Sequence, residues 1–254
     1  MKHATSKKAQ IAVCAACMLG IIASLPAQAG KKHKWKKEAI SIGNISGGIH
    51  FFDFENLNDA LTTNGLEEFN EYAPALTFSH YMGWRRFIST GELNFMFWRS
   101  GHAHNHETDL WASSIVTQAG INLLPPDLKF DIYPLAGLGL GLLKLSNHEY
   151  KRSFSEALNS EGYSAVLWQS TLLVDVGTAM FISIDMKRGM KHKEPKTLVL
   201  GLRAGYRIDV LDQDEWLQHT GSDIITGPDP SMSGAYVGLT LGKAVSYEKH
   251  GRGK

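Results

Sequence analysis

The sequence holds two cysteines, Cys14 and Cys17, and both stand in its first seventeen residues. Once that leader is removed no cysteine is left, which excludes a disulfide framework and a thiolate metal site. Long apolar runs are also missing. Beyond residue 29 no stretch reaches 18 consecutive apolar residues, which excludes a transmembrane helix. A large charge of either sign is absent too. The net charge is +1 over 254 residues, so nothing points to nucleic acid. The run "GLGLG" at 137–141 lacks the G-x-G-x-x-G spacing and a following helix, so it is no phosphate cradle, and no Walker or kinase motif is visible.

What is present begins with an export signal. "MKHATSKKAQ" is basic, "IAVCAACMLGIIASL" is apolar, and Ala27-Gln28-Ala29 forms an A-x-A cleavage site before Gly30. Cys17 has Cys14 rather than a leucine three places before it, which argues against lipid attachment. Residues 1–29 are therefore read as a cleaved signal peptide. Residues 30–38 are a basic tail, 39–247 the folded body and 248–254 a second basic tail. Cleavage leaves 23 basic against 25 acidic side chains.

The body repeats with a period of two, the mark of strands. In 130–143, Phe130, Ile132, Pro134, Ala136, Leu138, Leu140 and Leu142 share one parity, and Asp131, Tyr133, Leu135, Gly137, Gly139, Gly141 and Leu143 fall on the other. Glycine at three successive alternate positions would ruin a helix. The same alternation predicts eight strands, at 39–53, 75–84, 86–98, 109–123, 129–145, 165–185, 197–210 and 234–247, with the parity of the first left open. Short connections follow strands 2, 4 and 6, and longer ones follow strands 1, 3, 5 and 7, as in membrane barrels. With periplasmic termini, Trp84, Phe87, Phe130 and Tyr247 fall at one rim of the apolar face and Phe97, Trp111 and Trp168 at the other, as two aromatic girdles. The segments 55–73 and 211–233 each carry five acids and no lysine or arginine, whereas "KKHKWKK", "KRGMKHK" and "EKHGRGK" gather at the opposite rim. Lys144, Arg99 and Lys243 share the apolar parity at strand ends, where long cations snorkel.

The signal peptide, the eight-strand rhythm, "GLRAGYRIDV" and the closing "SGAYVGLTLGKAVSY" resemble the small outer-membrane β-barrels of the OmpA/OmpX type. The resemblance spans nearly the whole mature chain and rests on pattern. It departs at the end, where Tyr247 is followed by seven residues instead of closing the chain. It implies an all-β, eight-stranded antiparallel transmembrane barrel with short periplasmic turns and long extracellular loops. It also implies Sec-type export to a Gram-negative outer membrane.

Such a barrel has a lumen filled by side chains. The inward parity carries Glu92, Asp131, Asp175, Arg203, Arg207 and Asp209 with Asn94, Gln118, Asn122 and Thr171. A paired polar interior is expected, since an unpaired buried charge is costly. Glu92 and Arg203 stand at similar depth on opposite walls, and a narrow gated conductance is the competing reading. His102, His104 and His106 alternate in an outer segment and form a weak metal candidate.

A lipid-A hydrolase or acyltransferase needs a lipid-facing histidine beside a serine. His80 has the right parity but Ser79 does not, and Ser146, Asn147, His148 and Glu149 cluster without a motif. No catalytic residue and no cofactor is assigned. The segment 55–73 is expected to form a short helix after the first strand, and both acidic segments, 55–73 and 211–233, are read as solvated surface, with divalent cations or basic partners as the competing reading. The expected role is non-enzymatic, a monomer in contact with outer-membrane lipid and lipopolysaccharide. An extracellular ligand would be met through 55–73, 146–164 and 211–233. A lipid-modifying enzyme on the same barrel and a soluble periplasmic lipocalin-like binder stay open.

Overall fold

A computed structural model describes residues 38–84, 86–103, 106–125, 128, 130–149, 164–185, 196–211, 215–218, 224–228 and 230–248. The expected signal peptide and nearly all of both expected tails lie outside them. Ten strands form: β1 (Glu38–Phe51), β2 (Tyr72–Trp84), β3 (Phe87–Ala103), β4 (His106–Ile121), β5 (Phe130–Glu149), β6 (Ser164–Asp185), β7 (Lys196–Asp209), β8 (Glu215–Gln218), β9 (Ile224–Thr226) and β10 (Gly234–Glu248). One helix, α1 (Glu55–Thr63), follows β1.

Eight of these strands close on themselves in the order β5-β4-β3-β2-β1-β10-β7-β6, with β6 returning to β5. Every junction is antiparallel, including β1 against β10, where Glu38 faces Glu248 and His50 faces Tyr236. The fold is thus an eight-stranded antiparallel closed barrel. Closure leaves no unpaired strand edge, which a sheet surrounded by hydrocarbon requires. We refer to the end where β1 starts and β10 stops as the terminal end, and to the end bearing α1 as the loop end.

Alternation decides which way each side chain points. β2 shows it strictly: Ala73, Ala75, Thr77, Ser79 and Tyr81 are buried, and Leu76, Phe78, His80 and Met82 are exposed. The parity left open for the first strand is settled by the register. Ile42, Asn44, Ser46 and His50 face inward, and Ile45, Ile49 and Phe51 face outward. The outward wall carries an exposed large apolar residue from every barrel strand: Ile45, Phe78, Leu93, Ile115, Leu140, Ile182, Leu202 and Leu239, the last 71% exposed.

Three expectations need correction. The third and fourth strands do not stop near 98 and 109. They pair onward, with Arg99 opposite Asp109 and His102 opposite Glu107, so a two-residue connection replaces a long loop. Ladder pairing needs only backbone groups, so it outlasts the apolar alternation used to find it. The segment 211–233 is not plain solvated surface. It holds the hairpin of β8 and β9, docked on β6 where Trp168 faces Leu217, and it buries Trp216, Ser231 and Met232. The segment 55–73 does form the short helix expected after the first strand, α1, but it is not plain solvated surface, since it turns Leu57 and Leu61 inward and buries Phe69. Counting acids located charge in these segments but overlooked the apolar residues spaced between them.

Candidate functional site

The lumen is filled in three layers. At the terminal end Ile42, Tyr81, Ile88, Tyr133, Leu135, Ala179, Phe181 and Val199 pack together. The Tyr81 and Phe181 rings meet edge to face at 5.1 Å. At the loop end Phe52, Phe54, Met96, Trp98, Leu110, Leu143 and Leu173 pack under Leu57 and Leu61 of α1 and under Met232. Phe52 and Phe54 stack at 5.3 Å, with Trp98 edge-on to both.

Between these apolar layers lies a polar one, built by inward positions of six strands. The Arg203 guanidinium pairs with the Glu92 carboxylate across the lumen. It also donates to Gln118 Oε1 at 3.1 Å and to the Tyr236 phenol oxygen at 3.1 Å. Arg207 donates to Asp175 Oδ2 from Nε at 3.1 Å and from Nη2 at 3.0 Å, and from Nη1 to Ser114 Oγ at 3.0 Å. The other Asp175 oxygen accepts from Tyr236 at 2.7 Å and from Gln118 at 2.6 Å. Two acids and two arginines are thus balanced and shared out among hydrogen bonds, the condition under which buried charges are tolerated.

Tyr236 is the centre of this layer, a role that its inward parity alone does not reveal. Its ring lies between the guanidiniums of Arg203, at 4.8 Å, and Arg207, at 5.6 Å, and stacks on His50 at 5.1 Å. Room for it comes from two cross-strand partners, Gly177 and Gly205, where a Cβ on either would collide with the phenol. The glycines of "DVGTA" and "GLRAG" are therefore a socket as well as a sign of strand. The usable signal was a large aromatic on the inward parity of a strand whose neighbours carry glycine.

The six expected interior residues separate into three places along the lumen. Glu92, Asp175, Arg203 and Arg207 come together in the central layer. Asp131 lies toward the terminal end and accepts from Asn122 Nδ2 at 2.5 Å. Asp209 stands at the loop end and clasps the returning chain. It accepts from the Met232 N–H at 3.1 Å, from the Leu211 N–H at 3.2 Å and from the Thr171 hydroxyl. Beside it Met232 enters the space left by Gly141, whose missing side chain would strike the thioether.

His102 and His106 stand on paired strands, opposite Glu107 and Ala103 respectively, which puts them at adjacent ladder positions of opposite parity. His104 lies outside the described residues. No group of three or more His, Cys, Asp or Glu residues suited to a metal ion occurs among the described residues. His80 points outward and shares a 2.9 Å hydrogen bond with Ser41 of β1. Ser79 points inward and donates to Asn44. Ser146 is buried, and the His148 side chain lies outside the described residues.

No protein-family model matches the chain, and no curated protein matches its sequence. Among solved structures it is similar to the attachment invasion locus protein Ail of Yersinia pestis, in complex with the heparin analogue sucrose octasulfate. That match has 13% identity and a TM-score of 0.39, and covers 84% of this chain and 99% of that one. Neisserial surface protein A matches at 12% identity and a TM-score of 0.39, over 83% of this chain and 97% of that one. The outer-membrane protease OmpT of Escherichia coli matches at 8% identity and a TM-score of 0.33, over 86% and 99%. These likenesses are too distant to assign a role, and the closed barrel stands on its own strand pairing.

Proposed function

We propose that the chain spans a Gram-negative outer membrane as a filled, monomeric barrel, with a non-enzymatic role at the cell surface. The observation that carries this reading is the outward belt of large apolar side chains contributed by all eight barrel strands. A soluble lipocalin-like binder would place its apolar face inside and a polar face outside. Here the polar layer, with Asp175 fully buried, is inside and the apolar residues are outside. Orientation follows from charge. By sequence position the basic segments adjoin strand ends at the terminal end, assigned to the periplasm, and the acidic segments 55–73 and 211–233 connect strands at the loop end, assigned to the exterior.

The packed lumen supports structure and surface display over conduction, since two apolar layers bracket the charged one. The acidic crown favours cationic partners or divalent ions. A sulfated sugar of the kind bound by Ail would meet repulsion from the five acids of each segment. The test is electrophoresis of detergent-extracted outer membranes, boiled and unboiled, together with protease added to whole cells. A mobility shift with cleavage inside 211–233 is expected. Recovery of the protein without detergent would overturn the reading.

A further inference from the structure

At the loop end of the outward wall, four residues from four consecutive strands lie in one row. Phe97 of β3 faces Trp111 of β4, Trp111 faces Lys144 of β5, and Lys144 faces Trp168 of β6. Three are aromatic and one is a cation. The two indoles meet edge to face at 6.4 Å, and the Lys144 ammonium stands 5.3 Å from the centre of the Trp168 ring. The row lines a cleft of about 690 Å³ together with Trp98, Asp109, Leu110 and Ser146. Asp109 is engaged within the chain and sits in register with Arg99. Lys144 thus lines the cleft with its ammonium over a ring face, on the outward parity of its strand.

We propose that this cleft holds a phosphorylated glycolipid of the surrounding leaflet, its phosphate on Lys144 and its sugar against Trp111 and Trp168. The inference rests on the membrane reading above and names the lipid class that the wall selects. Three features argue for this occupant. An ammonium at the level of an aromatic girdle faces the headgroup region, where the complementary charge available is phosphate. Flat rings on both sides of Lys144 offer the apolar faces on which a sugar ring packs, whereas a simple acyl chain needs neither the cation nor the flatness. The row is also held rigid by four strands of one ladder, so the site is preorganised without a loop having to close.

The test is native mass spectrometry of the full-length mature protein in detergent, supplied with bisphosphorylated lipid A, the same lipid with its phosphates removed, or phosphatidylglycerol. Wild type is expected to retain bisphosphorylated lipid A as a one-to-one adduct and to lose the dephosphorylated form. Lys144→Gln should weaken retention roughly tenfold, as expected for removing one charge-assisted contact, and Lys144→Arg should restore most of it. Trp168→Ala should weaken it as well. Lys243→Gln, which removes an exposed cation at the other end of the wall, should change nothing. Equal retention by wild type and Lys144→Gln, or preference for phosphatidylglycerol, overturns the proposal. The gel shift of each variant separates the two readings. A wild type that shows no shift fails as a membrane barrel, whereas a normal shift with unchanged lipid retention sinks the glycolipid site alone.

Discussion

Arg207 and Lys144 are both cations on barrel strands, and their settings are opposite. Arg207 is 1% exposed and bound to Asp175 and Ser114 in the lumen, with Tyr236 against its plane. Lys144 looks outward from an aromatic row, with a ring as its described neighbour. The interior spends its charges on one another. The wall keeps one in reserve for something outside the chain. The lesson is that parity along the strand, more than residue type, separates a structural charge from a recognising one.

The comparison breaks most visibly if the interior is cut. Arg207→Ala leaves Asp175 buried without the two donors to its Oδ2 and should cost about 3–5 kcal/mol, read as a lower urea midpoint of the detergent-folded barrel. The double change Arg207→Met with Asp175→Asn should recover part of that loss, because the charge and its orphaned partner leave together. Lys144→Ala in the same assay should leave the midpoint almost unmoved.

A smaller effect is expected at the loop end. Met232→Ala empties the space over Gly141 and Leu173 and should cost about 2–3 kcal/mol. Much of that cost should fall on the loop, so protease cleavage within 211–233 should rise while the gel shift persists. Gly205→Ala should cost about 1–2 kcal/mol by driving Tyr236 from its socket. Loss of near-ultraviolet tyrosine dichroism would report it. If Gly205→Ala is silent, Tyr236 is not wedged as the packing implies.

The smallest effect belongs to the outward pair of Ser41 and His80. Each alanine substitution removes an exposed hydrogen bond worth less than about 1 kcal/mol. The lipid-A mass profile of the host cells should not change. Their 2.9 Å contact resembles the start of a hydrolytic dyad. However, no carboxylate is bonded to His80 among the described residues, and the flanking backbone is committed to ladders on both sides. An acyl-chain change abolished in either variant would restore the enzymatic reading.

Much of this was legible because a period of two is a local property. Alternation in 75–84, 130–143 and 197–210 named the outward faces, and the girdle residues Phe97, Trp111 and Trp168 fall together in a single ladder row. The interior candidates were legible as a set but not as pairs. Whether Glu92 meets Arg203 depends on register around the cylinder, and β3 and β7 are not neighbours. The first strand was ambiguous because Asn44, Ser46 and His50 alternate with glycine as well as isoleucine, so neither face looks clearly apolar.

By itself, the amino-acid sequence determined that the chain forms strands with one oily and one polar face, since side-chain direction follows from position along a strand. Only the tertiary structure decided that Tyr236 sits between two arginines, that Asp209 and Met232 fasten the outer segment, and that Lys144 lies between two indoles. Those contacts join residues far apart in the chain. Their distances are set by the closure of the barrel and the stagger of its strands, which no local pattern encodes.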